Sequence, residues 1–307
     1  MQYDLIIIGG GPAGMTAGIY SARQKMKTLV ITKEFGGQMT HKAVDIENYP
    51  GFEKISGFEL IAKFEDQMKH KGVEVLNDEV VELKKENNIF IIQTKEGKTV
   101  EGKTVIISTG AEPKRLNVKG EEEFLGRGVS YCTTCDGPLF NNKEVAIIGG
   151  GEAGFEAALF LSNYAKKIYI LEYGETVRCG KENQDKVCVI GKISIIIFSE
   201  LKEIKGDGFV NQIIYKDRKT EEEKTLDVQG VFVQVGYVPA TSFLKDLVEL
   251  NKRKEIVVNF ETFETKTSGL FAVGDVNTQK VKQIVVACGQ GAVAAMNAYK
   301  HINEQAN

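Results

Sequence analysis

Two stretches of the chain share one pattern, in which a continuous apolar run is followed by a glycine-rich turn and then by small or apolar residues at helical spacing. The stretches are "YDLIIIGGGPAGMTAGIYSAR", from Tyr3, and "KEVAIIGGGEAGFEAALFLSNY", from Lys143. A short apolar run predicts a buried strand and helical spacing predicts a helix, so each stretch predicts strand, tight turn and helix. The glycines correspond in pairs: Gly9 with Gly149, Gly11 with Gly151, and Gly14 with Gly154.

The G-x-G-x-x-G turn is typical of nucleotide-binding units. Its first glycine allows the tight turn, its second allows a pyrophosphate to approach the backbone, and its third allows helix and strand to pack closely. The helix N-terminus then attracts the phosphate charge. A glycine-rich turn that binds no ligand is the alternative, but two copies in the same setting favour two nucleotide sites.

Such units carry an acidic residue at the end of their second strand, about 20 residues after the glycines, where it accepts hydrogen bonds from a ribose. In the first unit "KTLVITKEFGGQ" offers Glu34. In the second, "KKIYILEYGE" offers Glu172.

The remaining pattern predicts how the two units are connected. A strand at 104–108 leads to Pro113, a second strand ends near Gly236, and a helix of small residues begins at about 282. We therefore predict an α/β protein with two Rossmann-like nucleotide-binding domains. Residues 1–112 and 247–307 would form the first, and residues 113–246 would form the second, inserted into it.

Composition excludes several classes of partner. The formal net charge is −3 at pH 7 and the charges are interspersed, so nucleic acid is not expected to bind. No apolar run reaches the roughly 20 residues that a membrane span requires. The N-terminus lacks the basic segment of a signal peptide, so a cytoplasmic location is expected.

The five cysteines include one closely spaced pair, in "VSYCTTCDGPLF". Cys132 and Cys135 could form half of a zinc site, an inert disulfide or a redox couple. Zinc would need two more ligands; eight residues separate Cys179 from Cys188, and the histidines lie at 41, 70 and 301, so no metal is expected. In a reducing compartment a redox role is favoured, because a helix start lowers thiol pKa values. Cys179, Cys188 and Cys288 are interpreted as buried or incidental thiols.

Several segments in this order resemble the low-molecular-weight thioredoxin reductases, which are FAD-dependent pyridine nucleotide-disulfide oxidoreductases. The matching segments are "GGGPAG", "FGGQMTHKAVDIENYPGF", "STGAEPKRLNVKGE", "GVSYCTTCDG", "GGGEAGFEAALFLSN" and "GLFAVGDV". The resemblance extends over nearly the whole chain. It implies a homodimer that contains FAD and reduces thioredoxin or a similar protein.

The resemblance also implies roles for individual residues. Cys135 would meet the flavin, Cys132 would face thioredoxin, and Asp136 would act as the acid or base, although a turn aspartate is an alternative. The FAD residues would be Gly9, Gly11, Pro12, Ala13 and Gly14 at the pyrophosphate, Glu34 at the ribose, Gly37, Gln38 and Asn48 near the flavin, Gly274 and Asp275 at the ribityl chain, and Gln283 and Ile284 at the isoalloxazine. A plain turn role remains open for Asn48 and Asp275. Because the cysteines and the flavin belong to different domains, we expect domain rotation, with hinges near 111–116 and 240–246.

The second nucleotide site departs from the family pattern. NADPH-dependent members carry a basic cluster of the HRRxxxR kind, whose arginines neutralise the 2′-phosphate. Here the stretch is "LEYGETVR", in which Glu172, Tyr173 and Gly174 replace the first three positions and only Arg178 remains. NADH, NADPH and reduced ferredoxin therefore stay open as donors at a site formed by Gly149, Gly151, Gly154, Glu172 and Arg178.

Rival functions share this fold. A dithiol oxidase would run the same chemistry in reverse with oxygen as acceptor. A peroxide-linked reductase of this family would carry an additional N-terminal domain, which this sequence does not display. Ferredoxin-reductase relatives lack the CxxC pair, and a flavin-containing sensor would not turn over.

Overall fold

The computed structural model describes residues 2–39 and 45–305. These residues form two compact units, one comprising Met1–Glu112 and Tyr237–Asn307 and the other Pro113–Gly236. The predicted α/β class with two Rossmann-like domains is confirmed. The boundary predicted at 246/247 lies instead at 236/237, because the segment from 237 to 246 packs with the first unit, where Leu244 is fully buried in the core.

The first part of the chain supplies most of the first unit. It contains β1 (Gln2–Gly10), α1 (Pro12–Arg23), β2 (Thr28–Phe35), β3 (Asp45–Ile46), β4 (Ile55–Ser56), α2 (Gly57–Lys69), β5 (Glu74–Asn77), β6 (Val80–Glu86), β7 (Ile89–Thr94), β8 (Thr99–Ile107) and β9 (Ala111–Pro113).

The middle of the chain forms the second unit. It contains β10 (Val129–Ser130), α3 (Thr133–Asp136), β11 (Glu144–Ile148), α4 (Glu152–Leu161), β12 (Lys167–Leu171), α5 (Lys181–Val189), β13 (Ile193–Ile196), β14 (Ser199–Asp207), β15 (Phe209–Asp217), β16 (Glu223–Asp227) and β17 (Gly230–Val233). The chain then returns to the first unit with β18 (Tyr237–Pro239), β19 (Leu270–Ala272) and α6 (Ile284–Gln305).

The first unit is built on a seven-stranded sheet of order β5-β2-β1-β8-β7-β6, with β19 beside the end of β8. The pairs β1–β2, β1–β8, β2–β5 and β8–β19 are parallel, which explains why β1 is apolar on both faces. Helices α1 and α6 cross so closely that a Cβ on Gly291 would lie only 2.2 Å from the carbonyl oxygen of Ala13. The predicted C-terminal helix begins at Ile284.

The second unit has a parallel five-stranded sheet of order β10-β17-β11-β12-β13 and an antiparallel sheet β14-β15-β16. Alternate residues of β11 enter two different cores, as expected for a strand. Val145 and Ile147 pack with Phe155 of α4, whereas Ala146 packs with Ile213 of β15. The parallel sheet is therefore covered by helices on one face and by the antiparallel sheet on the other.

No helix in the described part of the chain is long and apolar enough to cross a membrane.

Candidate functional site

The first glycine turn, between β1 and α1, has the geometry that its sequence predicts. Gly9 has φ +113°, and a Cβ there would lie 2.4 Å from the carbonyl oxygen of Ser108. A Cβ on Gly14 would lie 2.1 Å from the oxygen of Gly9, whereas a Cβ on Gly11 would have no atom within 4 Å. Space is therefore open in front of Gly11, where a pyrophosphate would approach, and Pro12 begins the helix beside it.

Polar side chains from distant parts of the first unit meet near this turn. The amide nitrogen Nε2 of Gln38 donates to the carbonyl oxygen of Ala111 and, at 3.3 Å, to Oδ2 of Asp275. Asn48 Nδ2 donates to Gln283 Oε1 at 3.1 Å. Four residues that the resemblance assigned to the flavin and ribityl part of FAD therefore form two bonded pairs, each joining positions more than 200 residues apart in sequence.

Other predicted residues lie in the same region. Glu34 is exposed at the carboxyl end of β2, as a ribose-binding acid requires, and Gly37 begins a short 3-10 turn (Gly37–Met39). Gly274 has φ +76°, and a Cβ on it would lie 3.3 Å from the Cβ of Ala13. The roles of these residues toward a bound cofactor stay predictions.

A buried amide pair that was not predicted from the sequence supports the turn that carries Asp275. Gln290 Oε1, on α6, accepts from the backbone nitrogen of Gly274 at 2.7 Å and from Asn277 Nδ2 at 2.9 Å. Asn277 and Gln290 are both buried. A buried polar group needs a partner, so these bonds fix the turn that carries Asp275. No sequence motif predicts such a pair.

The second glycine turn repeats the geometry of the first. Gly149 has φ +117°, and a Cβ there would lie 2.6 Å from the oxygen of Gln234. A Cβ on Gly154 would lie 1.9 Å from the oxygen of Gly149, whereas a Cβ on Gly151 would meet no atom within 4 Å. The second unit therefore has the same open space at its middle glycine.

Glu172, at the end of β12, is buried against this turn. Its Oε2 accepts from the backbone nitrogen of Gly150 at 2.7 Å, and its Oε1 accepts from that of Gly174 at 2.8 Å. Arg178 Nη2 lies 3.6 Å from Oε1, and the Arg178 backbone nitrogen donates to the oxygen of Gly150. The carboxylate thus holds the glycine turn in place, a structural role beside the predicted ribose contact, which stays a prediction.

Glu152, the first residue of α4, was also missed. Its carboxylate accepts from the backbone nitrogen of Gly180 at 2.6 Å, from Asn183 Nδ2 at 3.1 Å and from Cys179 Sγ at 3.3 Å. These bonds lower the pKa of Glu152, and the bond from the Gly180 backbone has the largest effect. Burial, followed by the contact with Glu152, raises the pKa of Cys179 to about 11, so Cys179 stays a neutral thiol.

Cys132 and Cys135 form a disulfide at the start of α3. Cys132 is the N-cap, and its Sγ accepts from the backbone nitrogen of Cys135 at 3.2 Å. Cys135 is exposed and Cys132 is partly buried, although the resemblance assigned the partner-facing role to Cys132. Asp136 is buried and accepts a hydrogen bond from Ser130 Oγ, which itself accepts from the backbone nitrogen of Cys132.

A buried tyrosine and glutamate support the strand before the cysteines. Tyr131 OH donates to Glu121 Oε1 at 2.7 Å, and the Glu121 carboxylate also accepts from the backbone nitrogens of Leu116 and Asn117. Burial, followed by the bond with Glu121, raises the pKa of Tyr131. The carboxylate therefore ties the segment that enters the second unit to the residue preceding Cys132.

The remaining cysteines are free thiols. Cys179 and Cys288 are buried and Cys188 is exposed. Cys288 packs on α6, where its Sγ lies 3.9 Å from Tyr49 OH. Within residues 2–39 and 45–305, no group of three or more His, Cys, Asp or Glu side chains is placed to hold a metal ion.

The sequence matches a family model described as pyridine nucleotide-disulphide oxidoreductase over residues 3–291. The chain belongs to this family. Solved structures that resemble it include a thioredoxin reductase from Streptococcus pyogenes MGAS5005, with 36% identity, a TM-score of 0.93 and 99% of each chain covered. A thioredoxin reductase from Giardia duodenalis has 36% identity and a TM-score of 0.94, with 98% of this chain and 99% of the other covered.

Two curated relatives within the family carry other names. The chain is 39% identical over 300 residues to a Bacillus subtilis (strain 168) protein named NADH dehydrogenase. It is 38% identical over 305 residues to a Pseudomonas aeruginosa protein named as one subunit of alkyl hydroperoxide reductase. Each alignment covers 98% of this chain but 58% of the relative. The chain therefore spans just over half the length of these two proteins.

FAD and a nicotinamide nucleotide are the cofactors of the pyridine nucleotide-disulphide oxidoreductases. The chain has a suitable cradle for each, because the middle glycine of both turns, Gly11 and Gly151, faces open space while its flanking glycines are tightly packed. The two glycine turns and the Cys132–Cys135 disulfide fit the chain's membership of this family and its similarity in structure to thioredoxin reductases.

Proposed function

We propose that this protein is a disulfide reductase that passes electrons from NADH through FAD and the Cys132/Cys135 pair to the disulfide of thioredoxin or a thioredoxin-like protein. The observation that carries the proposal is the Cys132–Cys135 disulfide of the CxxC motif, in the same unit as the second glycine turn. The similarity to two thioredoxin reductases over almost the full chain supports the same class of partner.

The reduced pair would act by thiol–disulfide exchange. The Cys132 thiolate attacks one sulfur of the partner's disulfide, forming a mixed disulfide and releasing the partner's other sulfur as a thiolate. Cys135 then attacks Cys132, which reforms the Cys132–Cys135 disulfide and leaves the partner as a dithiol. Two electrons move to the partner, and two protons from solvent or a nearby acid complete its thiols.

We assign the attacking role to Cys132 because its sulfur accepts a backbone hydrogen bond. The Cys135 backbone nitrogen donates to Cys132 Sγ at 3.2 Å, and a donor at this position favours the thiolate over the thiol. Asp136, which is buried one residue beyond Cys135, is the proposed proton carrier. Its bond to Ser130, which also contacts the Cys132 backbone, would orient the carboxyl group toward the pair.

The first unit holds the proposed FAD site. When bound, FAD supplies a two-electron carrier between nicotinamide and the disulfide. The backbone at Gly11, Pro12 and Ala13 would bind the pyrophosphate, with Glu34 at the ribose. The bonded pairs Gln38–Asp275 and Asn48–Gln283, with Gly37, Gly274 and Ile284 beside them, supply donors and acceptors for the remainder of the molecule.

NADH is the proposed donor at the second turn because of the Glu172 carboxylate. Two backbone amides and Arg178 already contact it, yet a carboxylate offers about four acceptor positions, so acceptor capacity remains for ribose hydroxyls. A 2′-phosphate at the same place would meet a fixed negative charge. One similar curated protein is named NADH dehydrogenase, which favours the same donor.

A second candidate is the reductase part of a peroxide-linked system. The observation that favours it is the 38% identity, across 98% of this chain, to the Pseudomonas aeruginosa protein named for alkyl hydroperoxide reductase. In that case the disulfide acceptor would be a separate redox domain rather than free thioredoxin. Both candidates use the same chemistry and differ in the protein that receives the electrons.

The test is anaerobic turnover of the purified yellow protein with NADH, NADPH or reduced ferredoxin as donor and oxidised thioredoxin as acceptor. We expect NADH-dependent formation of thioredoxin thiols. Reduction by ferredoxin alone would refute the nicotinamide donor, and reduction of an alkyl hydroperoxide reductase partner but not of thioredoxin would support the second candidate. In a separate aerobic assay, oxygen consumption with a small dithiol and without NADH would instead identify a dithiol oxidase. Sedimentation of the same sample would test the expected homodimer.

A further inference from the structure

An exposed aromatic ring and a guanidinium group are stacked beside the second nucleotide turn. Tyr173 is 53% exposed, and the Arg218 Cζ lies 3.8 Å from the centre of its ring. Arg218 Nη1 also donates to the Tyr173 backbone oxygen at 2.9 Å. Core packing does not explain this pair, because both side chains lie at the surface.

The pair is held in place by backbone hydrogen bonds between two loops. The backbone nitrogen of Arg218, just after β15, donates to the oxygen of Phe198 at 2.7 Å, and the Phe198 nitrogen donates to the oxygen of Gly174 at 2.9 Å. The segment that follows β12 is thus bonded to the segment that follows β15. Fixing a surface arginine costs side-chain conformational entropy. In Arg218, hydrogen bonds from both the backbone nitrogen and the guanidinium offset this cost.

The position of the pair follows from the nucleotide fold. Tyr173 comes directly after Glu172, whose carboxylate contacts the backbone nitrogen of Gly150 in the glycine turn. In this fold the acid at the end of the second strand binds the adenosine ribose, so the adenine base lies next to the residues that follow the acid. In this chain those residues are Tyr173 and the arginine stacked on it.

We propose that Tyr173 and Arg218 form the adenine-binding wall of the second nucleotide site, with the base stacked on the outer face of the Arg218 guanidinium. The inference rests on the proposed use of a nicotinamide dinucleotide and names the residues that recognise its adenine. A guanidinium is planar and weakly hydrated, so it stacks on bases as well as on aromatic rings, whereas a lysine ammonium cannot. The ring of Tyr173 contacts the opposite face of the guanidinium through a cation–π interaction.

Planarity distinguishes this role from simple attraction of phosphate charge. If Arg218 acts only through its charge, Arg218→Lys retains the affinity for an adenine nucleotide. If it acts by stacking, Arg218→Lys loses most of that affinity, as Arg218→Ala does. Arg218 has an exposed neighbour, Lys219, so Lys219→Ala serves as the matched control for loss of a positive charge at the same loop.

The experiment is calorimetric titration of the FAD-loaded protein with ADP-ribose, which carries the adenine, and with nicotinamide mononucleotide, which does not. Stacking of a base on a planar side chain corresponds to about a five- to 150-fold change in affinity. We expect Tyr173→Ala, Arg218→Ala and Arg218→Lys each to weaken ADP-ribose binding by at least about tenfold. The affinity for nicotinamide mononucleotide and the behaviour of Lys219→Ala should change less than about twofold.

Three results would overturn the inference and leave the proposed disulfide chemistry unaffected. Wild-type affinity of Arg218→Ala for ADP-ribose would remove the arginine from the site, and wild-type affinity of Arg218→Lys would reduce its role to charge. If the wild-type protein binds neither ADP-ribose nor NADH, the adenine wall and the nicotinamide donor both fail. Thioredoxin reduction by another electron donor would still stand in that case. Retained flavin absorbance and an unchanged melting temperature establish that each variant is folded.

Discussion

The Glu172 carboxylate accepts a hydrogen bond from the backbone nitrogen of Gly150 at 2.7 Å, which joins the end of β12 to the turn after β11. The same carboxylate accepts from the backbone nitrogen of Gly174 at 2.8 Å. One side chain therefore fixes both the glycine turn and the loop that leads to Tyr173. Its charge also stands where the sequence pattern of NADPH-dependent relatives would place a basic residue.

Glu172→Gln should lower the unfolding free energy of the second unit and reduce its preference for NADH over NADPH. A glutamine directs an amide group at one of the two backbone donors, and an unsatisfied buried donor costs about 1–3 kcal/mol of unfolding free energy. Chemical denaturation measures that loss. The ratio of kcat/KM for NADH over NADPH should also fall, because the carboxylate no longer repels the 2′-phosphate.

Glu175→Gln is the control for this substitution, since Glu175 is exposed in the same loop. It should leave both stability and nucleotide preference close to those of the wild type. Equal preference for NADH and NADPH in the unmodified protein would contradict the role assigned to Glu172.

Alanine at two glycines of the first turn should have opposite effects on folding and on cofactor binding. Gly11 has φ −74° and open space at its Cβ position, so Gly11→Ala should fold normally but weaken FAD binding by at least about tenfold. A Cβ on Gly14 would lie 2.1 Å from the oxygen of Gly9, so Gly14→Ala should destabilise the fold itself by about 1–3 kcal/mol. Flavin content and thermal melting separate the two effects.

Gly151→Ala provides the matched comparison in the second unit. Gly151 has φ −91° and no atom within 4 Å of a Cβ, as at Gly11. This variant should retain FAD and lose affinity for NADH. Loss of the flavin from Gly151→Ala would show that the two turns had been assigned to the wrong cofactors.

The two cysteine variants should differ in the intermediate that they trap. After reduction, Cys135→Ser retains the proposed attacking sulfur, so it should accumulate a mixed disulfide with oxidised thioredoxin, visible on a non-reducing gel after acid quenching. Cys132→Ser should form little of this adduct, and both variants should lose turnover. Cys188→Ser, at an exposed free cysteine, should retain it. Trapping by Cys132→Ser alone would reverse the assigned order.

Cys179 should resist alkylation because its pKa is raised to about 11 by burial and then by Glu152. At pH 8, iodoacetamide should modify Cys188 readily and Cys179 slowly in the folded protein, as read by peptide mass spectrometry. Since the folded pKa lies above the ordinary value of 9.0, the neutral thiol stabilises the fold fully below pH 9. That contribution should decline as the pH rises from about 9 to 11, and Cys179→Ala should reduce this part of the pH dependence.

The sequence predicted the features that depend on local chemistry. Strand, glycine turn and helix follow from apolar runs and from positions where a Cβ would clash, and both turns appear where the motifs lie. The division of the chain was predicted at its first boundary. The second boundary was ten residues late because burial of Leu244 in the first core is a tertiary contact without a local signal.

The polar pairs were beyond sequence reasoning for the same physical reason. Gln38 contacts Asp275 and Gln290 contacts Gly274 only because the chain returns to the first unit after the second is complete. Arg218 lies 45 positions from Tyr173, at the end of an antiparallel strand whose register no motif specifies. Local patterns identify a turn or a strand, but they do not identify which distant side chain it will contact.

In the proposed mechanism, Cys132 and Cys135 exchange an electron pair with a flavin bound by the same chain. Anaerobic titration of the FAD-loaded protein with a calibrated reductant, followed by the flavin absorbance and by thiol counting, tests it most directly. We predict that the wild-type protein takes up two more electron equivalents per chain than Cys135→Ser and gains two titratable thiols, because a disulfide is a two-electron couple. Equal uptake by the two proteins, with no new thiols in the wild type, would contradict this mechanism.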